Sequence, residues 1–256
     1  MIKSEEILAK KEAAEFRRAH GLSAAESLHL ENLLLDLNIL TVFLPLKGIS
    51  GMALKVVNGD SINRFILVNS NHPIGRQNFT ICHELYHLFI QKNFTSQICQ
   101  TGTFNRKDLD EYRADLFASH LLIPEDGIER MLNEVELTRK SSISLASVLK
   151  LSQYFACSNT ALMIRLDGLG YDGFRKNETL QKEYSKEIQK KAIEHGYDIA
   201  IYKSGNLNKV IGDYGVLARR HFEDNNISES RYAELMYDIF VNIYNLPNTD
   251  DCENEK

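Results

Sequence analysis

Two histidines and a glutamate in Thr80-Ile81-Cys82-His83-Glu84-Leu85-Tyr86-His87 carry the chemistry that is easiest to read in this 256-residue chain. A spacing of four puts His83 and His87 one turn apart on one helix face, where both imidazoles reach a single ion. Glu84, one position on from His83, sits beside that ion without binding it, placed to take a proton from a water there. The surrounding residues Phe79, Ile81, Leu85, Leu88, Phe89 and Ile90 make the helix apolar on almost every side, and such a helix is buried. Polar side chains enclosed there need partners, and a cation supplies them.

A catalytic zinc site takes three protein ligands and keeps one position open. The third ligand is expected at Glu111, in Glu111-Tyr112-Arg113-Ala114-Asp115-Leu116-Phe117-Ala118. Glu111, Ala114, Asp115, Ala118 and Leu122 form one helical stripe, and acids on a stripe of alanines and leucine are out of place on a solvent face. Glu111 is expected to bind the ion. Asp115, one turn later, is expected to accept a hydrogen bond from a ligating histidine and fix its tautomer. Tyr86, His120 and Tyr171 are the candidate donors to a transition-state oxyanion.

These residues need elements to hold them. Residues 4–20 and 24–37 read as amphipathic helices. Residues 38–44, 51–57 and 64–68 are short runs rich in β-branched and aromatic residues, separated by turn signals at Pro45, Lys47-Gly48 and Asn58-Gly59-Asp60, and read as a small sheet with a hairpin. Pro73 suits the first turn of a helix over residues 74–90. Residues 92–107 read as a loop and 108–123 as the helix of Glu111, stopped by Pro124. The remainder is helical by pattern, with a break at Gly168, Gly170 and Gly173, a charged solvated helix over 177–196, helices over 208–223 and 228–244, and an acidic, disordered tail over 248–256. The edge of the sheet near residues 51–53 is expected to be free to align a substrate backbone as an added strand.

The fold class is therefore α+β. A small, mostly antiparallel sheet packs on the active-site helices (residues 1–170), followed by a mainly helical accessory region (171–256). With 43% hydrophobic and 25% charged residues the composition is that of a globular protein. No apolar run is long enough to span a bilayer, and the charged N-terminus lacks the apolar stretch of a secretory signal, which points to the cytoplasm. Cys82, Cys99, Cys157 and Cys252 form no C-x-x-C pair and read as free thiols. A formal charge of −5, with neither half basic, argues against direct nucleic-acid binding. Residues 144–154, 156–158 and 159–166 have the rhythm of a helix-turn-helix. Its second helix offers only Asn159 and Arg165 to bases, so the unit reads as packing.

The order of sheet, His-Glu-x-x-His helix and Glu-x-x-x-Asp helix resembles the thermolysin-like metallopeptidases. More closely it resembles the ImmA/IrrE family of metallo-endopeptidases. That resemblance rests on Ser50-Gly51, on Ile66-Leu67-Val68-Asn69 and on Gly75-Arg76-Gln77-Asn78-Phe79-Thr80 leading into the motif. It continues through Glu111-x-x-Ala114-Asp115-x-Phe117-Ala118 and Leu121-Leu122-Ile123-Pro124. It covers residues 10–170 and continues weakly to about 240. Tyr86 and Cys82 depart from the family pattern. The resemblance implies one Zn²⁺ held by His83, His87 and Glu111, with Glu84 as base and Asp115 behind a ligand. It also implies limited cleavage of a protein, typically a helix-turn-helix repressor. The competing reading is a non-proteolytic regulator that docks a transcription factor and keeps a structural or vestigial zinc site; an intact Glu84 speaks against it.

Overall fold

The computed structural model describes residues 2–92, 94, 96–99, 101–102, 104, 107–139, 143–171 and 187–240. It begins with helices α1 (Ile2–Ala19) and α2 (Leu30–Asp36). Strands β1 (Ile39–Leu44), β2 (Gly51–Asn58) and β3 (Ser61–Asn69), helix α3 (Ile74–Phe89) and strand β4 (Ser96–Cys99) follow. Helices α4 (Leu109–Leu122), α5 (Glu125–Met131), α6 (Glu134–Arg139), α7 (Leu145–Tyr154) and α8 (Asn159–Gly168) come next. Residues 187–194 form a further helix, α9. A 3-10 turn (Ala200–Tyr202), strand β5 (Val210–Ile211) and helices α10 (Tyr214–Glu223) and α11 (Glu229–Phe240) complete the described chain. Among the described residues no helix is long and apolar enough to cross a membrane.

The sheet has the order β4-β2-β3-β1-β5. The hairpin β2–β3 is antiparallel, as the Asn58-Gly59-Asp60 turn signal predicts, while β1 lies parallel to β3, with Ile39 opposite Arg64 and Leu44 opposite Asn69. The other pairs are antiparallel, so the sheet is mostly so. Two expectations are corrected. Residues 92–107 are not wholly a loop, because Ser96–Cys99 forms β4. That strand pairs with β2 from Gly51 opposite Cys99 to Leu54 opposite Ser96, so the edge expected to be free at residues 51–53 is occupied by the chain itself.

Alternation along the strands gives one apolar face: Ile39, Thr41 and Phe43 on β1, Gly51 and Ala53 on β2, Ile66 and Val68 on β3 are all buried. Helix α3 packs across the sheet, with residues 79–88 buried without interruption, which fits its all-round apolar sequence. Pro73 stands as its N-cap, and its carbonyl accepts from Arg76 and Gln77 N–H at 2.8 and 3.0 Å. The buried Gln77 amide anchors that end. It donates to the carbonyls of Ser70, His72 and Gly205 (3.3, 2.7 and 2.9 Å) and accepts from Asn206 Nδ2 at 2.9 Å. Residues 203–211 thus reach α3 and, through β5, the sheet. Contact with the core does not end near residue 170.

Helix α9 buries Ile188 and Ala192 against Leu149, so the described part of the charged helix expected over 177–196 is not solvated on all sides; residues 177–186 lie outside the described residues. The helix expected over 208–223 is corrected: it starts only at Tyr214 (α10), because Val210–Ile211 pairs with β1 as β5. The helix over 228–244 is α11 as far as Phe240, and the break is seen where α8 ends at Gly168 and Gly170 takes a positive φ. Gly173, residues 241–244 and the acidic tail lie outside the described residues. Cys82 and Cys157 are buried free thiols, pushed upward in pKa by burial, Cys82 to about 12. The helix-turn-helix unit, α7 and α8, is a packing element. Asn78 Nδ2 donates to Ala156 O at 2.8 Å, and Arg165 is buried. The approach to α3 is so close that a Cβ on Gly75 would stand 2.7 Å from the carbonyl carbon of Cys157 and the nitrogen of Ser158. Backbone cannot yield as a flexible side chain does. Gly75→Ala is therefore expected to cost about 1–3 kcal/mol of stability, read as a fall in the chemical-denaturation midpoint; an unchanged midpoint contradicts this account of the packing.

Candidate metal centre

Helix α3 delivers His83, Glu84 and His87, each fully enclosed. Helix α4 delivers Glu111 and Asp115. It starts at Asp108, whose carboxylate accepts from Glu111 N–H at 3.3 Å, the arrangement of an N-cap. Ala114, Ala118 and Leu122, on the same stripe as the two acids, are buried with almost no exposure. Small side chains there let α4 lie close along α3.

The expected convergence is present. His83 Nε2 lies 3.1 Å from His87 Nε2 and 3.4 Å from Glu111 Oε2, and His87 Nε2 lies 3.3 Å from Glu111 Oε1. All three ligand atoms fall within 4.8 Å of one another. Asp115 Oδ1 lies 2.9 Å from His83 Nδ1, and the same carboxylate accepts Gly102 N–H at 2.8 Å and Phe104 N–H at 2.7 Å.

A second orienting contact has no counterpart in the reading of the sequence. His87 Nδ1 lies 2.5 Å from Gln91 Oε1, and Gln91 Nε2 donates to Asp110 Oδ2 at 3.0 Å. The Asp110 carboxylate only accepts, so it fixes the amide with its oxygen toward His87. Gln91 stands four residues after His87, just past the end of α3, and that spacing was the available signal.

These partners set the protons. Asp115 and Gln91 Oε1 are acceptors, so each neutral imidazole carries its hydrogen on Nδ1 and turns an Nε2 lone pair toward the other ring and toward Glu111. Three electron-pair donors converge with no hydrogen between them, and that donor set fits a divalent cation. With no ion bound, a proton takes the place. Burial opposes charge on His83, but hydrogen bonds to Asp115 and Glu111 outweigh it and carry its pKa up to about 10. For Glu111 burial works upward, yet the adjacent His83 and His87 rings win and hold it far below the usual carboxylate range.

Glu84 is enclosed between the sheet and α3. A Cβ on Gly51 would stand 2.9 Å from Glu84 Oε1 and 2.5 Å from Thr80 Cγ2, so glycine in β2 makes the room this carboxylate occupies. Of the candidate oxyanion donors, Tyr86 is buried with its ring centroid 5.7 Å from those of His87 and Phe117, and its charged neighbours are Glu12, Arg113 and Asp110. His120 lies on the opposite face of α4, in a cavity with Arg17 and Arg165, and Tyr171 has Glu129, Glu125 and Glu136 as its charged neighbours. The structure does not bring His120 or Tyr171 to the cluster.

The model of the IrrE N-terminal-like peptidase domain matches residues 35–167, a span that takes in the sheet hairpin, both site helices and the α7–α8 unit. The chain is also 27% identical over 132 residues to Metallopeptidase ImmA of Bacillus subtilis (strain 168), covering 49% of this chain and 78% of that protein.

Two outcomes are expected. A metal taken up at pH 7 displaces the proton held by His83, so binding releases about one proton and tightens as pH rises toward 10. Calorimetry in buffers of different ionisation enthalpy reads this, and uptake without proton release contradicts it. Asp115→Asn is expected to weaken metal affinity about 10–100-fold, measured by competition with a chromophoric chelator.

Proposed function

The chain belongs to the family of IrrE N-terminal-like peptidases, and from that membership we propose that it is a zinc-dependent endopeptidase making limited cuts in a specific protein. The observation that carries this reading is the convergence of His83 Nε2, His87 Nε2 and a Glu111 oxygen within 4.8 Å, beside the buried Glu84. Two imidazoles and one carboxylate are a donor set of catalytic zinc sites, which keep a further position open.

We assign His83, His87 and Glu111 as the ligands, with Asp115 and Gln91 holding the two imidazoles in their ligating tautomers. When bound, zinc supplies Lewis acidity that polarises the scissile carbonyl and acidifies water. Glu84 accepts the proton of the attacking water and returns it to the leaving amine. Gly51 positions Glu84 by leaving it space. A cavity of about 380 Å³ flanks the site, with Phe79, Phe104, Ala161 and Ile164 among its walls, and Arg76 and Thr101 at its polar side. Three contacts tie its walls to residues next to the centre. Thr101 Oγ1 is 3.0 Å from Thr80 Oγ1, Gly102 N–H bonds Asp115, and Arg76 Nη2 donates to Ser50 Oγ at 3.2 Å. A substrate side chain next to the cut bond enters there, and the walls favour a large apolar one.

The substrate is read from the family resemblance carried by Gly75–Thr80 and Glu111–Ala118: a helix-turn-helix repressor, cut in the cytoplasm so that its genes are released. Incubation with candidate repressors is expected to give discrete fragments that a chelator suppresses and zinc restores. Glu84→Gln is expected to abolish cleavage while the purified protein keeps its zinc. Gly51→Ala, which crowds Glu84, is expected to lower kcat with metal content unchanged. Undiminished cleavage by the Glu84→Gln protein refutes the assignment.

A further inference from the structure

Behind α4, on the face opposite Glu111 and Asp115, lies a second concentration of charge. A cavity of about 640 Å³ opens there between α1, residues 21–24 and the junction of α4 with α5, and its walls carry Lys10, Arg17, Arg18, His120 and Arg165. A smaller cavity of about 240 Å³ adjoins it and shares Lys10, His120 and Arg165.

Two of these cations are inside the protein, Arg17 at 3% exposure and Arg165 at 4%. Arginine is almost never enclosed so fully unless paired. Among the described residues neither forms an ion pair with a carboxylate; both are held by main-chain oxygens. Arg17 donates to Leu121 O from Nε at 3.1 Å and from Nη2 at 2.6 Å, and from Nη1 to Glu26 O at 3.0 Å and to Ser23 O. Arg165 donates from Nε to Ile123 O at 3.1 Å, and its enclosed Nη2 has no acceptor among the described residues.

The carbonyls of Leu121 and Ile123 lie at the C-terminal end of α4, where the helix dipole supplies about half a negative charge. Two guanidiniums exceed that by more than one unit. Glu125 and Glu6 attract Arg165, but burial is the larger influence and draws it down to about 10. The Glu125 carboxylate is itself engaged by Lys10. His120 adds no charge at neutral pH, because burial, Arg165 and Lys10 drive its pKa down to about 3. Around the larger cavity four cations face two carboxylates, Glu125 and Asp126.

We propose that this cavity binds a small organic anion through a carboxylate or phosphate group, with the buried Arg165 guanidinium and Arg18 at the mouth as its partners. The volume lies within the ~300–1,000 Å³ typical of small-molecule sites. A guanidinium presents paired donors to either group, and Arg165, which lines the cavity without a carboxylate partner among the described residues, is the buried cation such a ligand neutralises. The occupant sits on the reverse of the helix that carries Glu111 and Asp115.

Titration calorimetry of the full chain with inorganic phosphate and, separately, with succinate tests this. The expected result is saturable one-to-one binding of at least one probe. Phosphate alone assigns a phosphoester ligand, and succinate alone a carboxylate. Arg165→Gln and Arg18→Gln are each expected to weaken binding about ten-fold or more, while Glu111→Gln, altered at the metal cluster, binds as the parent does. Arg18 is exposed, so its variant remains informative where Arg165→Gln fails to fold. Absence of saturable binding for both probes overturns the proposal. So does equal affinity in the Arg18→Gln protein, or binding that disappears only in Glu111→Gln.

Discussion

Two imidazoles on successive turns of a helix can serve one ion only if each is told which nitrogen keeps its hydrogen. Asp115 does this for His83 and Gln91 for His87, and Asp110 in turn fixes the Gln91 amide. The consequence is an arrangement that repels itself. Two lone pairs meet at 3.1 Å with a carboxylate within 3.4 Å of both rings, in an enclosed region where unpaired polar groups are costly. Either a proton or a cation must occupy the middle. The raised His83 pKa is the proton's version of this constraint, and a divalent ion relieves it more completely because it accepts all three electron pairs at once.

Holding acceptors together against repulsion needs a rigid frame, and the frame is built from small residues at close approaches. Gly51 leaves the space filled by Glu84, and Gly75 lets the turn between α7 and α8 rest on the first turn of α3. Ala114 and Ala118 bring α4 alongside. A functional constellation must be held to within about 0.5 Å, a tolerance that long, flexible side chains at these contacts would not give.

The parts of this design that obey a short period are legible in the sequence. His83 and His87 follow the helical repeat, as do Glu111 and Asp115 on their alanine stripe, and the β2–β3 hairpin announces itself through Asn58-Gly59-Asp60. What depends on distant chain is not legible. Ser96–Cys99 is four residues without a strong strand pattern, made a strand by its pairing with β2. The parallel pairing of β1 with β3, and the return of residues 203–211 to the sheet and to Gln77, are likewise set by tertiary contact. Gln91 is an ordinary polar residue past a helix end until Asp110, from α4, gives its amide a direction. Arg165 shows the reverse case. An apparent base-reading residue on a helix-turn-helix rhythm becomes a buried cap on Ile123 O, because α8 packs inward.

Helix α4 joins these themes, since the cluster is only as precise as the helix that brings Glu111 to it. Asp108 caps its N-terminal end, worth about 1 kcal/mol. Its C-terminal carbonyls at Leu121 and Ile123 are bound by Arg17 and Arg165, and hydrogen bonds to charged groups contribute about 1.5–3 kcal/mol each. By that comparison the stronger anchoring is at the end away from Glu111. Arg17 reaches it from α1 and Arg165 from α8, so two otherwise separate helices fix the axial position of α4. The position of a Glu111 oxygen relative to two imidazoles on α3 is therefore set in part by charges on the far side of the helix, where the cationic cavity opens.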